Sequence, residues 1–108
     1  MNKEKQTETV SLSNDLSLRF LDFLREQTNC CVCLEFGPVE PHHLISVGMG
    51  RDRKKPMMEH FSAVPVCRLC HTQYHAKGLK DFEEQWNQNM FKTNHKFLSK
   101  FIYEISIN

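Results

Sequence analysis

The sequence predicts a small α+β domain. Three observations predict it. Apolar residues recur at helical spacing near both ends of the chain, a short extended stretch containing proline lies between them, and two Cys-x-x-Cys pairs bracket that stretch. At 108 residues the chain has room for one domain, and chains this short often use a bound metal as a staple. The expected layout is an N-terminal helix within residues 1–28, a core over 29–80 and a helical segment over 81–108.

Composition narrows the function classes. The formal net charge is +1, so a surface for nucleic acid must be local rather than a global basic field. Mean hydropathy is −0.52, and no apolar run approaches the roughly 18 residues of a membrane span. The start, MNKEKQTETV, lacks the apolar segment of a secretory signal. A cytoplasmic protein without a membrane partner is the expectation. In that compartment, five cysteines that include two Cys-x-x-Cys pairs point to metal rather than disulfides.

Residues 1–11 are polar and expected to fray. Residues 12–27 read as an amphipathic helix with Leu12, Leu16, Phe20, Phe23 and Leu24 on one face, capped by Ser13 or Asn14 with Asp15 in the first turn. The turn-rich stretch TNCCVCLEFGPVEP follows, and then VEPHHLISV as a short or edge strand. GMGRDRKKPMMEHF reads as a loop, and Arg68 to about Lys77 as a helix ended by Gly78. Phe82, Trp86 and Met90 continue one apolar face. Phe97, Phe101 and Ile105 mark a last helix whose end, IYEISI, also fits a strand.

The chemistry lies in the cysteines and histidines. Cys30, Cys33, Cys67 and Cys70 form two knuckles, each able to point two thiolates at one ion, and together they supply the closed tetrahedral shell of a structural zinc. Cys31 is left over. The bland reading of the four, buried cysteines acting as small hydrophobes, does not explain two such pairs in one short chain. His71 and His75 are four apart and share a helix face. Cys70 and His71 are adjacent, so the thiolates and the imidazoles face different ways, which suits two separate metals. His42 and His43 alternate across a strand, so one can join His71 and His75 on a divalent ion while the other faces a substrate. Three neutral imidazoles leave open positions on an ion able to stabilise a leaving oxygen, and a fourth can take a proton from water. Any one of these histidines alone is better read as an ordinary surface or core residue; four at these spacings are not.

The order Cys-x-x-Cys, HHL, a Gly/Arg loop, then VPVCRLCH and a further His resembles the HNH endonuclease motif, also called the ββα-metal or His-Me finger. PHHLISVGMGRDRKK followed by AVPVCRLCHTQYHAKG is similar to small phage and prophage HNH nucleases, and more distantly to the phage recombination-enhancement nuclease. The resemblance covers about residues 30–80. It implies a ββα-metal core stapled by a four-cysteine zinc site and flanked by N- and C-terminal helices. It implies His43 as general base, His42, His71 and His75 as ligands of a catalytic Mg²⁺, Mn²⁺, Ni²⁺ or Zn²⁺, and Cys30, Cys33, Cys67 and Cys70 as ligands of the structural zinc.

Arg51, Arg53, Lys54 and Lys55 would then contact phosphates of single- or double-stranded DNA with weak sequence preference. The bland alternative for this loop is a solvated charge run. The motif's middle Asn is absent: its place is taken by Ser62, with His60 nearby, which leaves these two to orient the base. Two other readings stand beside the nuclease. One is a zinc-stapled nucleic-acid-binding module without catalysis. The other is an interaction module of a phage replication or recombination complex.

Overall fold

The computed structural model describes residues 3–47 and 55–107. The first helix, α1 (Lys3–Arg25), has 23 residues and so runs about 35 Å. Phe20, Leu21, Phe23 and Leu24 are buried on its core side. It begins nine residues before the apolar stripe. Ser13 and Asn14 are therefore interior residues, not caps, because a helix once nucleated propagates cheaply through good formers such as Lys, Glu and Gln. Leu12 is 71% exposed and falls outside the core. Asn14 has another role: its Oδ1 accepts the Met57 N–H at 2.7 Å.

Past α1 the chain folds into the first knuckle. The Cys30 N–H donates to Glu35 O and the Leu34 N–H to Cys30 O, while Leu34 adopts the left-handed conformation at φ 65°. Next come β1 (Glu40–His43), a 3₁₀ turn (Met58–Ser62) and β2 (Ala63–Val66). The strands pair antiparallel, with Glu40 opposite Val66 and His43 opposite Ala63. Helix α2 (Arg68–Lys77) follows directly and ends at Gly78, whose φ of 84° is unfavourable for a residue with a side chain.

The continuous face expected through Phe82, Trp86 and Met90 is broken. Helix α3 (Leu79–Trp86) ends where Asn87 turns left-handed at φ 50°. Helix α4 (Met90–Ile107) then starts afresh, with Asn89 Oδ1 accepting the Lys92 N–H at 3.0 Å. The tail IYEISI is helical. No helix among the described residues is long and apolar enough to cross a membrane.

Two apolar clusters meet at β2, whose four residues are all buried. Ala63 joins Phe20, Leu24, Phe97 and Phe101 between α1 and α4. Val64 and Val66 join Cys30, Cys70, Phe82 and Met90 around the cysteines. Alternation along the strand makes this division. The architecture is thus α+β: a two-stranded ribbon and α2 in the middle, with helices at either end.

Asn94 locks α4 to the ribbon, its buried Nδ2 donating to Phe61 O at 2.7 Å and Ala63 O at 2.9 Å. Asn94→Ala strands both carbonyls and is expected to cost about 1–3 kcal/mol in urea unfolding, with no change in m-value.

Candidate metal centre and histidine cleft

The two knuckles face each other. Cys67 precedes α2, and its Sγ accepts the Cys70 N–H at 3.5 Å, a capping contact that folds the second knuckle onto the helix start. The Cys31 N–H donates to Pro65 O and draws the first knuckle onto β2. The Sγ atoms of Cys30, Cys33, Cys67 and Cys70 all lie within 4.8 Å of one another. Cys33 Sγ and Cys67 Sγ are 3.8 Å apart. A tetrahedral ion with bonds of about 2.3 Å, the zinc–thiolate length, holds its ligands about that far apart. These four thiolates can hold a metal ion.

Thiol acidity differs around the cluster. Burial works against ionisation of Cys30, but the backbone N–H groups of Cys67, Cys33 and Val32 outweigh it and bring the thiol down to about 7. Burial raises Cys70 and Cys33 above the ordinary range. Cys31 is outside the four. Burial, then the neighbouring Cys30 charge, pushes it up to about 12, so it is an inert thiol packed where the two apolar clusters touch.

A second group lies on the other side of α2. The ring nitrogens of His42, His71 and His75 lie within 4.8 Å of one another. His42 comes from β1 and is buried; its ring sits 4.6 Å from that of His71 and 5.1 Å from that of His75. His71 and His75 are one helical turn apart on α2, and His75 opens to solvent. The face of His42 is closed by Tyr74 at a ring distance of 3.9 Å. His42 Nε2 is buried without a hydrogen-bond partner. A buried polar atom left so is costly unless something outside the chain satisfies it, and an imidazole nitrogen next to two others is suited to a cation. Burial, then the neighbouring His71 and His75, lowers His42 to about 4 and keeps the ring neutral, the form that binds metal.

Glu40 adds a residue that the sequence reading passed over. Its Oε1 lies 2.6 Å from His71 Nδ1, which leaves Nε2 as the ring nitrogen available to an ion, and 3.6 Å from Arg68 Nη1. The signal was available: Glu40 and His42 are two apart on one strand and so share a face.

His43 turns the opposite way. Its Nε2 lies 2.8 Å from Nδ1 of His60, which is 7% exposed. Burial, then the neighbouring His60, lowers the His43 pKa. His43 still lines the same cleft as His42, His71, Tyr74 and His75, a concavity of about 350 Å³. Ser62 does not share the His60 position. Its hydroxyl donates to Glu59 O at 2.7 Å and accepts the Ile45 N–H at 3.0 Å, so its contacts hold the backbone beside the cleft. Lys55 is exposed. Arg51, Arg53 and Lys54 lie outside the described residues.

A family model described as a protein of unknown function (DUF968) matches residues 11–103, and the chain belongs to that family. No curated protein and no solved structure matches it.

Neutral His42 links stability to pH. Its folded pKa of about 4 lies below the ordinary 6.5, so between these values the unfolded chain binds the extra proton. Stability is therefore expected to fall as pH drops from 6.5 toward 4. Thermal melts of protein with its cysteine site filled should show the decline. His42→Asn, which leaves the cysteines intact, should make the decline shallower, the remainder coming from His43, whose pKa is also lowered.

Proposed function

We propose that the chain is a metal-dependent endonuclease of the HNH type that hydrolyses phosphodiester bonds in DNA. One observation carries the reading: three imidazole nitrogens converge in an open cleft that a fourth, separately held imidazole also lines. A purely structural module needs the cysteines but has no use for this second group. The preference of thiolates for softer ions makes zinc the natural occupant of Cys30, Cys33, Cys67 and Cys70. His42, His71 and His75 would hold the working divalent ion, Mg²⁺, Mn²⁺, Ni²⁺ or Zn²⁺. When bound, that ion supplies the positive charge that binds the scissile phosphate and stabilises the leaving 3′ oxygen.

The chain's own groups do the rest. For His43 to take a proton from water at Nδ1, its Nε2 must carry hydrogen and donate to His60 Nδ1. His60 is thus a positioning residue, holding the tautomer and ring orientation of the base. Burial keeps His43 unprotonated at neutral pH and ready to accept. The hydroxide oxygen bonds to phosphorus, the P–O3′ bond breaks, and the 3′ oxygen takes a proton from solvent. The products carry 5′-phosphate and 3′-hydroxyl ends. Glu40 orients His71 and Tyr74 walls the cleft.

Two measurements test this reading. Conversion of supercoiled plasmid to nicked or linear DNA, with each divalent ion supplied in turn, should fall by about 10²–10⁴-fold in a folded, zinc-loaded His43→Ala. Absence of cleavage by wild-type protein that binds DNA would return the chain to a binding module. Independently of turnover, Glu40→Gln should weaken divalent-ion binding at the histidines by about 10–100-fold in calorimetry while leaving the cysteine-bound zinc in place.

A further inference from the structure

Helix α4 carries a feature that the cleft does not use. Between Glu84 and Glu104 the chain has no acidic residue, yet it holds Lys92, His95, Lys96 and Lys100. The three lysines are exposed and recur every four residues, so they form a row along one side of α4. Met90, Asn94, Phe97 and Phe101 are buried on the opposite side.

The row borders a second concavity of about 460 Å³ lined by Gln88, Asn89, Lys92, Thr93, His95 and Lys96, with no carboxylate among them. Among the described residues no ion pair is recorded for any of the three lysines; Lys100 sits over the Phe97 ring at 5.6 Å. In the first turn of α4 the Met90 N–H donates to Glu83 Oε2 and the Lys92 N–H to Asn89 Oδ1, so the helix end is not what makes this site.

Like charges at this spacing repel and weaken the helix. Solubility alone does not require that. Helix α3 meets the same need with mixed signs, Lys80 with Asp81, Glu83 and Glu84. A row of lysines outside any described ion pair, beside a hollow lined by no carboxylate, is complementary to an extended anion. Eight residues of helix span about 12 Å, and one DNA strand presents a phosphate every 3.4 Å or so of its axis. The row is also fixed relative to the knuckles, because Gln88 Nε2 donates to Val32 O at 3.0 Å.

We infer that Lys92, Lys96 and Lys100, with the hollow beside them, are a second phosphate-binding surface that engages the sugar–phosphate backbone of DNA away from the histidine cleft. The inference rests on the reading of the chain as a protein that acts on DNA. The contact is independent of base sequence, since a lysine is a point charge on a flexible stem and reads no base edge there.

The test is the salt dependence of binding to a fluorescent 30-base-pair duplex, with the zinc-loaded protein and no added divalent ion. Wild type is compared with K92Q/K96Q/K100Q. Each lost phosphate contact removes about 0.9 from the slope of log Kobs against log salt, so the triple variant should be shallower by about 2–3, with melting temperature and zinc content unchanged. An unchanged slope in a variant beside a wild type that cleaves plasmid overturns this inference and leaves the nuclease reading standing. A wild type that neither binds nor cleaves DNA overturns both. Binding to phosphatidylserine vesicles that the variant loses, with the DNA slope intact, assigns the row to a lipid surface and overturns the inference.

Discussion

Four cysteine sulfurs drawn together at the junction of two knuckles are the constraint on which the other elements depend. A two-stranded ribbon with strands of four residues is marginal in water by itself. The apolar core is divided into two modest clusters, and the second is built around Cys30 and Cys70. Filling the cysteine site ties the segment after α1, the end of β2 and the start of α2 to a single point. Without an ion the same geometry leaves thiols of unlike acidity crowded together, with Cys30 near 7 and Cys70 raised by burial. An ion held there would couple metal binding to folding.

The ribbon translates that staple into a site through alternation. On β1, Glu40 and His42 face α2, where they meet His71 and His75. His43, one residue on, meets His60 on the 3₁₀ turn. On β2, Ala63 faces the helices and Val64 and Val66 face the cysteines. A one-residue slip of register would exchange all these partners at once. Asn94, bonded to the backbone on both sides of Ser62, helps to hold that register from α4.

What could be read from the sequence follows from which signals are local. Helix α2 and its Gly78 stop were legible because a Cys-x-x-Cys pair, an i, i+4 histidine pair and a glycine all lie within twelve residues. Spacing and parity indicated that one of His42 and His43 meets His71 and His75, and the resemblance, not the spacing, pointed to His42. The start of α1 was not legible, because residues 3–11 carry no apolar stripe, the signal by which a helix is read from sequence. The break at Asn87 was not, because the apolar spacing continues through it while a backbone turn does the breaking. The resemblance-based choice between Ser62 and His60 needed distances. The serine hydroxyl goes to the backbone and the imidazole goes to His43.

The two histidines of the adjacent pair sit in different environments. His42 is buried against other imidazoles, is held neutral, and has one nitrogen with no protein partner. Its low pKa leaves it without a proton near neutrality. His43 has one nitrogen paired with His60, and the residue lines the open cleft. On the proposed reading the first environment suits a ligand and the second a base. Adjacent residues of one strand acquire different surroundings because a strand turns each side chain away from its neighbour. The two histidines of the pair are therefore not equivalent: one meets His71 and His75, the other His60.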